Sequence, residues 1–212
     1  MRLLSIQVGR PRIVRVRDGE VATGIYKDPA AGPVRVGFLN LAGDGQADLS
    51  VHGGRNKAVY AYPAEHYPLW REELPEVDLP FGAFGENLTT EGLLESEVRI
   101  GDRYRIGSVE LRVTQPRLPC YKLAIRLGRQ DIGRRLLKSG RTGLYFAVLR
   151  EGTIEAGDAI ELLERPATSI TVQEAAGLAT GFLKNPDALR RALVAPALPA
   201  SWREEIRHRA GA

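Results

Sequence analysis

From Met1 to about Pro166 the chain never holds one hydrophobic period for long. Short β runs follow one another, each cut off by Gly or Pro, and this constrains the fold more than any other feature. The runs are Leu3–Val8, Val34–Val36, Phe38–Leu41, Ala58–Tyr62, Val98–Asp102, Tyr104–Gly107, Val109–Thr114, Leu144–Leu149 and Ala159–Leu163. Val109–Thr114 alternates apolar and polar positions with a strict period of two, the mark of a half-buried strand. With 23 glycines and 13 prolines in 212 residues, the chain has ample turn chemistry to separate them. Many short strands between turns predict a mainly β fold of the α+β kind, a sandwich or barrel. Two helices interrupt the strands. One is predicted to start at Pro63, in the favoured first helical position, and to run through Glu65, Tyr67 and Trp70. The other covers about Asp131–Lys138 and stops at Gly140.

After Pro166 the pattern becomes helical. Thr171 with Glu174 and Ser201 with Glu204 both read as capping boxes, and Asn185-Pro186 reads as a cap followed by a first-turn proline. The expected organisation is therefore residues 1–166 as a β domain and 167–212 as a small three-helix domain. Three helices of this size cannot hold a core alone, so they should dock on the strands or on another subunit.

Composition mostly excludes. A single cysteine forbids an intrachain disulfide and any iron–sulfur cluster held by this chain alone. The three histidines have no metal-ligand spacing, which sets aside structural zinc. Neither a signal peptide nor a membrane span is evident, so a cytoplasmic location and no membrane partner are expected. A formal net charge of +4 suits an anionic ligand or an acidic partner. No recognition-helix, paired zinc or RNA-binding aromatic pattern is present, so no nucleic-acid partner is expected.

The chemistry concentrates in four stretches. Cys120 stands in Gln115-Pro116-Arg117-Leu118-Pro119-Cys120-Tyr121-Lys122. Arg117 and Lys122 flank the thiol with positive charge, which favours the thiolate, the form that attacks carbon or binds metal; a buried structural cysteine is the alternative. Gly43–Lys57 gathers Asp44, Asp48, His52, Gly53, Gly54, Asn56 and Lys57, and its backbone amides could cradle an anion. It lacks the ending of a P-loop, and an ordinary surface loop is the competing reading. Phe81–Thr89 offers Glu86 and Asn87, or else forms a turn stabilised by Asn and Thr. Lys138–Gly143 offers Arg141 as a phosphate ligand. A hydrolase pairing Cys120 with His52, with Asp48 orienting, is chemically possible, but the chain carries no local nucleophile signature.

Taken together, Gly-Asp-x-Gln-Ala-Asp with His52-Gly53-Gly54, Tyr62-Pro63-x-Glu65-His66-Tyr67, Phe84-Gly85-Glu86-Asn87-Leu88 and the Cys120 segment resemble the MOSC domain. That domain takes its name from the C-terminal part of molybdenum cofactor sulfurase. The stretch Ile170–Ala176 is similar to the three-helix extension of the 6-N-hydroxylaminopurine resistance branch. The resemblance covers nearly the whole chain, with its motifs in order. It implies a closed MOSC-type β-barrel that binds the molybdenum cofactor (molybdopterin), with Cys120 as thiolate ligand to the metal; pyridoxal phosphate binding is not expected. It also implies an oxidoreductase that reduces N-hydroxylated compounds, such as N-hydroxylated purine bases, to amines in a detoxifying role. On this reading Cys120, Asp44 and Glu86 are the catalytic candidates, the last two as proton handlers. His52, Gly53, Gly54, Asn56, Lys57, Asn87, Arg117 and Arg141 are the cofactor-binding candidates. The implied partners are an N-hydroxylated small molecule, a separate electron-donor reductase and a second subunit in a homodimer. The alternative is a non-enzymatic molybdenum cofactor or sulfur carrier that uses Cys120.

Overall fold

A computed structural model describes residues 1–17, 19–50 and 52–211; Val51 of the first glycine-rich stretch and Ala212 at the end of the helical region lie outside it. In chain order the described residues form β1 (Arg2–Val8), β2 (Arg12–Val16), β3 (Gly19–Thr23), β4 (Asp28–Pro29), β5 (Val34–Val36), β6 (Val59–Pro63), α1 (His66–Glu73), β7 (Leu88–Glu91), β8 (Arg103–Ile106), β9 (Val109–Pro116), α2 (Tyr121–Leu127), α3 (Ile132–Ser139), β10 (Leu144–Arg150), β11 (Gly152–Ile154), β12 (Ile160–Glu164), α4 (Val172–Thr180), α5 (Pro186–Val194) and α6 (Ala200–Ala210). A single 3-10 turn, Arg55–Lys57, precedes β6.

Eight strands build one sheet in the order β12-β8-β9-β10-β6-β7-β1-β4, while β11–β5 and β2–β3 form separate pairs. Pairing within the large sheet is antiparallel except between β6 and β7, which run parallel. A parallel neighbour needs a crossover connection, and α1 lies within the one that joins them. The sheet does not close, which corrects the expectation of a closed barrel. The free edge of β1 is divided: Gln7 and Val8 pair with β4, and the other end meets the segment before β12 through one isolated bridge, Arg2 to Ala159. Backbone bonds from Leu3 N to Asp158 O (2.9 Å) and from Ile160 N to Met1 O (3.0 Å) hold that seam without continuing it as a ladder.

Two hydrophobic clusters fill the interior. The larger joins Leu3, Ile6, Val59, Leu111, Val113 and Phe146 of the sheet to Val172, Ala175, Leu178, Trp202 and Ile206 of the C-terminal helices. These helices thus bury their apolar faces against the strands, as their size requires. The Thr171 capping box is formed in full, with Glu174 N donating to Thr171 Oγ1 (3.0 Å) and Thr171 N donating to Glu174 Oε2 (2.8 Å). Asn185 caps α5 through Asp187 N (3.0 Å) and Ala188 N (3.1 Å). The second cluster sets Tyr60, Tyr62, Tyr67, Trp70 and Phe84 against Leu123, Leu127, Ile132 and Leu136 of α2 and α3.

Several local expectations change. Pro63 ends β6 instead of opening α1, which begins at His66. Ser201 caps nothing, because α6 already starts at Ala200 after Pro199. Val98–Asp102 and Phe38–Leu41 are not strands; each contributes only a single isolated bridge. No helix is long and apolar enough to cross a membrane among the described residues.

Candidate functional site

Cys120 is the residue where strand turns to helix. Pro116 ends β9 and Pro119 directly precedes Cys120, which is extended (φ −106°, ψ 164°) and is the N-cap of α2. Its sulfur is half-buried in a cleft bounded by the segments 23–27, 44–47 and 52–57, the start of β6, the Gly85–Asn87 turn and Tyr145 on β10. Burial by itself would raise the thiol pKa. A hydrogen bond from His52, the Arg117 guanidinium, the Lys122 backbone N–H and the charge of His52 outweigh that and lower it to about 7. A substantial fraction is therefore thiolate at neutral pH.

Arg117 is buried beneath this thiol, and its guanidinium lies 5.3 Å from the centre of the Tyr60 ring. Its Nη1 has no hydrogen-bond partner. Buried donors are nearly always paired, so an orphan at a cleft wall marks a place for an acceptor. Lys57 and Lys122 also line the cleft, and burial lowers the pKa of Lys57.

Asp44 and Asn87 form the cleft's frame. Asp44 pairs with buried Lys27 and accepts from Gly9 N (2.9 Å) and Asn87 Nδ2 (2.9 Å). The Asn87 side chain also accepts from Tyr60 N (3.1 Å) and donates to Gln7 O (3.3 Å), so one amide ties β6, β7 and β1 together. Two glycines permit the close approach of the surrounding loops. A Cβ on Gly24 would fall 2.5 Å from Gly45 O. Gly85 has φ +80°, and a Cβ there would fall 2.7 Å from Ile25 Cγ1.

Seven sequence candidates thus meet in one cleft: Cys120, Asp44, His52, Gly53, Lys57, Asn87 and Arg117. Four stand elsewhere. Glu86 faces away, fully buried, accepting from the Tyr67 hydroxyl, Gly82 N (2.7 Å), Phe84 N (3.2 Å) and Thr89 Oγ1 (3.1 Å). Burial raises its pKa despite those bonds, and it braces the turn that presents Asn87. Arg141 lies 4.8 Å over the Trp70 ring and donates to Glu73 (2.7 Å), beside α1. Asn56 is exposed, and its carbonyl accepts from Thr114 Oγ1 (2.6 Å). Gly54 precedes the 3-10 turn, and its carbonyl accepts from Lys57 N (2.9 Å). Sequence reasoning missed Lys27, Tyr60 and Tyr145 as cleft residues. The two tyrosines lie inside runs that read simply as strands, and Lys27 belongs to no motif. Only its buried pairing with Asp44 gives it a role.

Cys120, His52 and the Lys57 and Lys122 positions fall within residues 48–161, the part of the chain that matches the family model of the MOSC domain. The chain is a MOSC domain protein. It is 44% identical over 201 residues to YflK of Bacillus subtilis (strain 168), covering 95% of this chain and 90% of that protein. The crystal structure of YiiM from Geobacillus stearothermophilus superposes with a TM-score of 0.81 at 36% identity, covering 99% of this chain and 98% of that one. A Gibberella moniliformis (strain M3125 / FGSC 7600) protein named a reductase is 42% identical over 167 residues, covering 77% of this chain and 29% of that protein. MOSC is a molybdenum-cofactor-binding type of domain.

Proposed function

We propose that this chain is an oxidoreductase that reduces N-hydroxylated compounds, such as N-hydroxylated purine bases, to amines, with a molybdenum cofactor anchored by the Cys120 sulfur. The observation that carries this reading is a half-buried thiol hydrogen-bonded by His52, beside a buried arginine nitrogen that has no partner. The residues suit the cofactor. Thiolate is a soft ligand for a transition metal. No group of three or more His, Cys, Asp or Glu side chains could hold a metal among the described residues, so most of the metal's ligands would arrive with its own organic group. Arg117 Nη1, Lys57 and Lys122 supply donors for that group's phosphate. The relative named a reductase points to the same class of chemistry.

When bound, the cofactor would supply a metal centre that accepts oxygen from the substrate and passes on electrons. The balance is R–NHOH + 2 H⁺ + 2 e⁻ → R–NH₂ + H₂O. The protein's own part is to hold the anchor and deliver protons. Arg117 and the Lys122 backbone N–H keep the Cys120 sulfur anionic. Asp44 is committed to Lys27, Gly9 and Asn87, and Glu86 to the turn behind them. Proton delivery therefore falls to His52, in contact with Cys120. Tyr60 and Tyr145, with ring centres 5.3 Å apart, form an aromatic wall suited to a flat heterocycle.

The test is expression in a host that makes the cofactor, followed by metal and pterin analysis and turnover of an N-hydroxylated purine with a reduced viologen. Wild type is expected to carry molybdenum and form the amine, and Cys120→Ser to lose both. Equal metal and turnover in the two proteins would overturn the reading. Bound cofactor without turnover would favour the carrier.

A further inference from the structure

We propose that Gln46 reads the substrate: its carboxamide binds the edge that an N–OH group shares with an adjacent ring or imino nitrogen, and so sets the preference among N-hydroxylated compounds. This role rests on the reductase reading of the same cleft. The state of the other polar side chains singles the residue out. Thr23 accepts from Ile25 N, Lys27 pairs with Asp44, and Tyr60 donates to Thr142 O. Asn87 makes three hydrogen bonds, Tyr145 is bonded by Arg117, and His52 bonds the Cys120 thiol. Arg117 Nη1 and the Lys122 ammonium are cationic donors, suited to a phosphate. Gln46 lines the same cleft and, among the described residues, is its one neutral polar side chain without a hydrogen-bond partner.

Both ends of Gln46 are fixed. Its backbone is held where Gly45 N donates to Gly9 O (3.2 Å) and where Gly24 leaves room, since a Cβ on Gly24 would fall 2.5 Å from Gly45 O. Its carboxamide lies against the α-carbon of Gly53, where a Cβ would fall 3.1 Å from Oε1 and 3.2 Å from Cδ. Gly53 and Gly54 share one backbone conformation (φ +80° each), yet a Cβ on Gly54 would meet nothing within 4 Å. At Gly53 alone, the missing side chain is room for the Gln46 amide. The preceding residue is His52, the thiol's partner and the proton donor of the proposed reaction. The amide thus stands one residue from the place where the N–O bond breaks. A carboxamide presents an acceptor and donors in one plane, and Gln meets the adjacent donor and acceptor of adenine in this way. A carbon bearing both NHOH and a ring or imino nitrogen offers the same edge: the hydroxylamine N–H donates to the amide oxygen, and the neighbouring nitrogen accepts from the amide nitrogen. A hydroxylamine on a plain alkyl or aryl carbon lacks that second partner and leaves the amide donor unpaired in the cleft.

The test uses the full-length, cofactor-loaded chain, reduced viologen and two flat substrates: 6-N-hydroxylaminopurine, which has the edge, and N-phenylhydroxylamine, which lacks it. Gln46→Leu keeps the bulk of the side chain and removes both bonds, while Gln46→Glu keeps an acceptor and removes the amide donor. The ratio of kcat/KM, purine over phenyl, is expected to fall about 10–100-fold in Gln46→Leu and in the same direction in Gln46→Glu. Adenine carries the same edge without the hydroxyl, and in calorimetry it is expected to bind Gln46→Leu about 10-fold more weakly than wild type. Metal and pterin content are expected to be equal in all three proteins. An unchanged ratio overturns the proposal, as does adenine binding that is absent from wild type or indifferent to the substitution. Loss of molybdenum or pterin in Gln46→Leu overturns it too, and assigns the amide to the cofactor. A loaded wild type that reduces neither substrate would instead strike the reductase reading, while the adenine comparison still decides whether Gln46 reads this edge.

Discussion

Cys120 owes its reactivity to placement. Burial opposes the thiolate, and two side chains with one backbone amide overcome it. A thiol whose pKa falls from 9.0 to about 7 is protonated below neutrality and becomes nucleophilic as pH rises through 7. Alkylation of cofactor-free protein by iodoacetamide should therefore rise with pH and level off above about pH 8, with a midpoint near 7. His52→Ala and Arg117→Gln each remove a stabiliser of the anion and should move that midpoint upward. An unchanged midpoint in both would mean that the surrounding charges do not set the thiol's pKa. Asp44 makes a different residue-scale case. Its side chain and that of Lys27 are almost fully buried together. Asp44→Ala strands the Lys27 ammonium and removes one of the two acceptors of Asn87 Nδ2, so a loss of about 3–5 kcal/mol is expected in chemical denaturation. Lys27→Met with Asp44→Leu should recover much of it.

At the scale of elements, the capped helices were the most legible, because a cap is a local bargain between a side chain and nearby amides. Thr171 shows this: the box read from two residues is formed in both directions. Thr171→Ala should cost about 1 kcal/mol of stability by denaturant titration, and Thr171→Ser little. What is decided by distant partners was not legible. Val98–Asp102 has the composition of a strand, yet its long-range backbone bonds go to Ile170 and Val172 once each and to Val113 twice, without a ladder to any one strand. Ser201 looks like a cap but falls inside a helix that Pro199 caps two residues sooner. The same division runs through the cleft. Cys120, His52 and Arg117 could be named because their neighbours in sequence are also their neighbours in space. Tyr145 and Lys27 reach the cleft only through strand pairing and a buried ion pair, which no local pattern records. Arg141 fails for the converse reason: a glycine-rich context resembles a phosphate loop, but folding places it over Trp70.

For the whole molecule, the open sheet and the helical tail are linked matters. The tail fills one wall of the core that the strands share, with Val172, Leu178 and Trp202 in the same cluster as Val59 and Val113. Truncation after Pro166 should therefore uncover apolar strand surface and give an aggregating or partly folded product, seen as lost cooperativity in thermal unfolding. A truncated chain that stays monomeric and unfolds in one sharp transition would show that the strands are self-sufficient. The β2–β3 hairpin stands in contrast. Among the described residues it pairs only with itself, shares no ladder with the eight-stranded sheet and keeps Ile13 67% exposed. A segment held by a few side-chain contacts can change length, charge and composition across generations while the core feels little of it. Such changes would leave the half-buried thiol, its buried arginine and the asparagine clasp where they are, because those are held by the sheet and not by the hairpin.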